Sequence, residues 1–164
     1  MAKPKLTHVD ETGAVRMVDV SGKAATLRRA VARGTVAFGP EAFRLLRANK
    51  LAKGDALAVA RLAGIQAGKR TAEWIPLCHT VPLTRLDVAV ALETRARVAR
   101  ITATAEATWR TGVEMEALVA VSAAALALYD MAKAVDRGIA IREIVLLEKS
   151  GGRSGAWRRA GRRP

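Results

Sequence analysis

A chain of 164 residues with a formal net charge of +13 and one cysteine fits a single domain that can close a core without a disulfide or a metal staple. A lone cysteine excludes an internal bridge and argues against a secreted, disulfide-stapled scaffold. No apolar stretch of leader type follows Met1–Lys5 and no apolar run approaches the length of about 20 residues that a bilayer requires, so the expectation is a cytoplasmic protein without a membrane span.

Residues 1–12, with His8, read as a loose arm. Val15 to Val20 alternates enough for a short strand. Ala24 to Phe38 reads as a strand that ends at Gly39-Pro40, and Pro40 at a first helical position opens a helix from Glu41 to Ala48. From Gly54 to Lys69, Leu57, Ala60, Arg61, Gly64 and Ile65 recur at helical spacing, with Asp55 in the first turn, where a negative charge suits the dipole. Pro76 and Pro82 then stiffen a non-helical connection that carries Cys78 and His79. Leu86 to Leu92 and Val98 to Trp109 alternate as two half-buried strands of a hairpin. Val113 to Val135 reads as a long helix, apolar almost all round, with Thr111 and Glu114 at capping-box spacing. A helix without a wet side implies burial on several sides, hence an oligomer. Ile139 to Glu148 closes the domain as a strand.

The order β, β, α, α, β, β, α, β predicts an α+β fold, a ferredoxin-like antiparallel sheet with helices packed on one face. A single catalytic domain is expected over residues 13–150. Residues 151–164 read as a glycine- and arginine-rich loop and a basic tail.

The positive charge suits a polyanion, either nucleic acid or a small molecule with several phosphates. Aromatic residues make up only 4% of the chain, and no strand carries the exposed aromatics on which RNA bases stack. Arginines outnumber lysines, which makes the positions that stay lysine worth noting, because lysine can lose its proton on desolvation. Cys78-His79 lacks the further ligands of a zinc site, and adjacent residues of an extended loop point apart, so neither a metal centre nor a nucleophile pair is expected. What remains is a packing pair or His79 as a donor to an anion. Glu114 and Glu116 point to nearly opposite sides of a helix; Glu114 has a capping role open to it, while Glu116 borders an apolar run. Asp130 and Lys133 are neighbours on one helix face, which they share with Glu116. Gly64 to Thr71 resembles a P-loop too loosely to be one. Lys149-Ser150-Gly151-Gly152-Arg153-Ser154-Gly155 is either a linker or an anion-binding loop.

Ile75-Pro76-Leu77-Cys78-His79, Gly112-Val113-Glu114-Met115-Glu116-Ala117-Leu118, Tyr129-Asp130-Met131-Ala132-Lys133-Ala134, Lys53-Gly54-Asp55 and Lys149-Ser150-Gly151-Gly152 together resemble the MoaC family, the cyclic pyranopterin monophosphate synthases of molybdenum cofactor biosynthesis. The resemblance runs from about residue 6 to residue 155. It implies a lyase that converts 3′,8-cyclo-7,8-dihydroguanosine 5′-triphosphate into cyclic pyranopterin monophosphate and pyrophosphate. It also implies a homohexamer built as a trimer of dimers, with active sites at subunit interfaces. No cofactor, metal, membrane or nucleic acid is expected. By analogy with the family, Leu77, Cys78, His79, Met115 and Glu116 are expected at the substrate, with Lys69 and Lys149 assisting; Glu114 is also counted as substrate-binding, and Lys23 and Arg28 are expected to add to the anion site. Asp130, Lys53 and Lys133 are expected to carry the proton transfers.

Overall fold

The computed structural model describes residues 13–160. The expected N-terminal arm, His8 and the last four residues lie outside this range. The described chain forms β1 (Thr26–Ala37), α1 (Pro40–Arg47), α2 (Ala56–Lys69), the single turn α3 (Thr71–Trp74), β2 (Arg85–Glu93), β3 (Val98–Trp109), α4 (Glu114–Ala132), β4 (Ala140–Ser150) and the short β5 (Trp157–Arg158). The sheet is antiparallel in the order β2-β3-β1-β4-β5. Without β5, this is the β-α-β-β-α-β ferredoxin-like arrangement, with α2 and α4 on one face.

The alternation in β1 and β3 sets the two faces. Ala30, Ala32 and Val36 of β1 and Ile101, Ala103, Ala105 and Ala107 of β3 are fully buried under the helices. The residues between them face the open side, where Arg29 pairs with Glu106 across the β1–β3 ladder at 3.3 Å and with Glu148 of β4. Arg33 reaches Glu143 of β4 at 3.3 Å. Part of the arginine excess therefore serves the sheet.

Small side chains bring α4 close to that sheet. Ala117, Ala120, Ala124 and Ala125 are all fully buried, so α4 lies between the strands and α2. Gly64 and Gly68 of α2 face it: a Cβ on Gly64 would come within 2.8 Å of the Ala120 carbonyl oxygen, and one on Gly68 within 3.1 Å of that of Glu116. The glycines that loosely resembled a P-loop are a helix-packing seam. α4 is long and apolar enough to cross a bilayer, yet 61% of its most apolar window is buried inside this subunit. It is a core helix.

Three sequence expectations change. Val15 to Val20 forms no strand beyond a lone bridge at Val15. Asp55 is the N-cap of α2, its carboxylate accepting from the Ala58 N–H at 2.9 Å. The capping box at α4 does not form: Val113 is the N-cap, no side chain caps it, and α4 starts one residue later and ends at Ala132.

Candidate active site

The start of α4, the end of β3 and the loop after β4 meet around a cavity of about 840 Å³. Lys23, Arg28, Arg110, Lys149 and Arg153 line it, against one carboxylate, Glu114. Five cations and one anion around a cavity open to solvent make a seat for a polyanion. Lys149 donates to Glu114 at 2.8 Å and to the Ser154 hydroxyl at 3.3 Å. Glu114, freed from capping, is thus the internal counterion of this pocket.

Arg28 underlies the glycine loop. Its Nε donates to the Trp109 carbonyl at 3.2 Å, and the loop passes so close that a Cβ on Gly152 would collide with its guanidinium. Gly151 and Gly152 also sit at φ +100° and +71°, a region that L side chains rarely adopt. The loop could not follow this path with other residues at those two positions.

A second cavity, of about 500 Å³, adjoins the first and shares Lys23, Thr111, Gly112 and Glu114 with it. Its walls include Leu77, Cys78, His79, Met115 and Glu116. His79 Nε2 donates to the Val18 carbonyl at 2.8 Å, since a carbonyl can only accept. A neutral ring then has only an acceptor left at Nδ1. Donation to an anion requires the imidazolium, or release of Val18. Burial pushes the Cys78 thiol above its ordinary value, helped by the Glu116 charge, so it is a poor thiolate.

Glu116 is 4% exposed, and its Oε2 has no hydrogen-bond partner among the described residues. Burial, with a smaller push from Glu114, raises its pKa to about 7 against the pull of a backbone hydrogen bond. Glu116 also lines a small third cavity of about 60 Å³ with Lys69, Arg70 and Thr71. Lys69 therefore lies off the main cavities, unlike Lys23, Arg28 and Lys149.

The remaining expected residues lie elsewhere. Lys53 and Lys133 each reach the Asp130 carboxylate at 2.6 Å, one at each oxygen, and Lys53 also donates to the Asp130 carbonyl at 3.0 Å. The two lysines hold Asp130 well below the usual carboxylate range, at about 2. Hydrogen bonding to Asp130 in turn raises the pKa of Lys133, the opposite of the depression expected of a proton-transfer lysine. Fourteen residues of α4 separate this triad from Glu116, about 21 Å along the axis. Within one subunit the two groups of residues therefore lie at opposite ends of α4.

Sequence reasoning missed Arg110 as a pocket residue and left Arg153 open between a linker and an anion-binding loop. The position of Arg110 right after β3, beside the motif that begins at Gly112, is the only signal that could have drawn attention to it.

The sequence model of the MoaC family matches residues 17–152. A protein of Thermomicrobium roseum named cyclic pyranopterin monophosphate synthase is 59% identical over 155 residues, 94% of this chain and 93% of the relative. A protein of Parvibaculum lavamentivorans with the same name is 52% identical over 158 residues, 96% of this chain and 99% of the relative. One of Mycobacterium tuberculosis, named cyclic pyranopterin monophosphate synthase 1, is 56% identical over 94% of this chain and 91% of its own length.

Proposed function

The chain belongs to the MoaC family, and from that premise we propose that it is a cyclic pyranopterin monophosphate synthase of molybdenum cofactor biosynthesis. It takes the cyclised guanosine triphosphate derivative and releases pyrophosphate. The observation that carries this reading to the residues is the pocket of five cations built on the glycine loop. A triphosphate needs such a seat, and the same cations stabilise charge that develops on departing pyrophosphate.

In the closing step, a substrate hydroxyl attacks the α-phosphorus. The bond from that phosphorus to the bridging oxygen breaks, and pyrophosphate leaves with both electrons. Lys23, Arg28 and Lys149, joined by Arg110 and Arg153, neutralise the leaving group. Leu77, Cys78, His79, Met115 and Glu116 line the neighbouring space for the purine-derived ring. Lys133, which its raised pKa keeps protonated, supplies protons as an ammonium acid during ring opening and rebuilding, and Lys53 acts beside it. Asp130 holds and orients them, because a carboxylate of such low basicity is a poor proton acceptor.

The separation along α4 supports an active site shared between subunits. One subunit brings the phosphate pocket and the other the Lys53–Asp130–Lys133 triad, within the homohexamer, a trimer of dimers, that the family resemblance implies. The helical layer leaves Leu62 57%, Leu126 53% and Val59 41% exposed, which suits a further protein contact. The unpaired Cys78 fits a cytoplasmic enzyme.

Mass spectrometry after incubation with the cyclised triphosphate tests the reading. The expected products are cyclic pyranopterin monophosphate and pyrophosphate. Recovery of the triphosphate unchanged overturns it.

A further inference from the structure

We propose that residues 156–160, beyond the stretch matched by the family, are a positioning element that sets the height of the glycine loop over the phosphate pocket. The proposal rests on reading that pocket as the seat of the triphosphate. β5 pairs with β4 in the register Glu148↔Arg158 and Lys149↔Trp157. The Arg159 N–H donates to the Leu147 carbonyl at 2.8 Å, and its Nε donates to the Leu146 carbonyl at 2.9 Å. Arg158 reaches Glu148 at 3.1 Å, the carboxylate that also holds Arg29 of β1. The end of the chain is therefore tied to β4 by its backbone and, through Glu148, to the strand beyond.

Those ties turn residues 150–156 into the loop of a β-hairpin. Ser150, Gly151, Gly152, Arg153 and Ser154 all line the pocket, and the Gly155 N–H closes a turn onto the Gly152 carbonyl at 3.2 Å. Three glycines at positive φ make this stretch costly to order, and a strand closing the hairpin restricts it before any anion arrives. Residues directly opposite in an antiparallel pair share a face, so Trp157 stands beside Lys149, whose ammonium is held by Glu114 and Ser154. Arg158 and Arg159 act here as ties between strands, and no polyanion beyond the substrate is needed to account for them.

Three proteins separate this from plain charge attraction: the intact chain, Arg159→Pro and Arg159→Gln. Proline removes the N–H that bonds Leu147, whereas glutamine loses the same charge and keeps that bond. Calorimetric titration with inorganic pyrophosphate is expected to show affinity about tenfold weaker for Arg159→Pro, the equivalent of one lost bond to a charged group, and nearly unchanged for Arg159→Gln. Equal losses in both variants, or none in either, overturn the proposal while leaving the pocket assignment standing. If the intact chain binds no pyrophosphate, the pocket assignment falls first and the proposal with it. Hydrogen exchange on the intact protein needs no variant to fold: pyrophosphate is expected to slow exchange at the Gly155 and Arg159 amides, and unchanged exchange at both overturns the positioning role.

Discussion

Glu116 and Asp130 are carboxylates on one helix, and their surroundings push them in opposite directions. Glu116 is buried, with an oxygen that has no hydrogen-bond partner among the described residues, so burial raises its pKa to about 7. Asp130 is half exposed and gripped by two ammonium groups, which lower it to about 2. At neutral pH the first gains and loses a proton readily, while the second is a fixed anion. The helix thus offers a titrating end and a charge-holding end, about 21 Å apart along its axis.

The hardest test of that division mixes two disabled forms. Lys53→Arg and Lys133→Arg keep the charge but not the lysine's proton chemistry, and each is expected to lower turnover by about 10²-fold or more. Turnover near wild type in either variant removes the lysines from the proton-transfer role. Lys149→Ala disables the opposite end of α4. Subunits of Lys133→Arg and Lys149→Ala, co-assembled after mild dissociation, are expected to recover turnover well above either parent, because some shared sites then receive one intact half from each chain. Turnover no better than the parents' mean places both halves of a site in one subunit.

The two carboxylates also give opposite slopes of stability with pH. Folded Glu116 keeps its proton up to about pH 7, whereas in the unfolded chain it ionises in the usual range near 4.3. Between those values the folded state binds more protons, so its advantage is full below the lower value and is lost as pH rises towards 7. The shift corresponds to at most about 4 kcal/mol. Glu116→Gln is expected to flatten this fall in urea unfolding between pH 4.5 and 7, and a variant with the wild-type slope shows that Glu116 is not the titrating group. Asp130 runs the other way. Its contribution is present above the ordinary carboxylate value and is lost as pH falls towards about 2. Because it is exposed, added salt is expected to weaken that loss in wild type and to leave Asp130→Asn unaffected.

Much of this molecule is legible in the sequence because its signals are periodic. The alternation of Ile101, Ala103, Ala105 and Ala107 against Thr102, Thr104, Glu106 and Thr108 fixes a strand and both its faces. Val15 to Val20 alternates as well, but strand pairing needs a neighbour, and the edge beside β4 is filled by Trp157–Arg158, a strand too short to show any period. The site motifs are legible as residue types, and their division in space is not. A helical wheel places Glu116 and Asp130 on one face, but it does not say which loops meet each end. Lys53 reaches Asp130 from 77 positions away, and the only local sign that Arg110 lines a pocket is its place beside the Gly112 motif. Glu114 misled through a correct spacing: the capping geometry was open to it, and the Lys149 ammonium at 2.8 Å was the stronger partner.

The smallest expected effect concerns how Lys53 is held. Gly54 turns the chain at φ +93°, and Asp55 then caps α2, so the lysine leaves the helix start at a fixed angle towards Asp130. Asp55→Ala removes the cap and is expected to cost about 1 kcal/mol of stability, while Asp55→Asn retains most of it. If the cap aims Lys53, Asp55→Ala also lowers kcat, by less than Lys53→Arg does, and leaves pyrophosphate affinity unchanged, because the phosphate pocket lies at the far end of α4. A fall in pyrophosphate affinity in that variant, measured by calorimetry, contradicts the separation of the two ends. Unchanged kcat alongside the expected loss of stability confines Asp55 to capping and shows that the ion pair with Asp130 alone places Lys53.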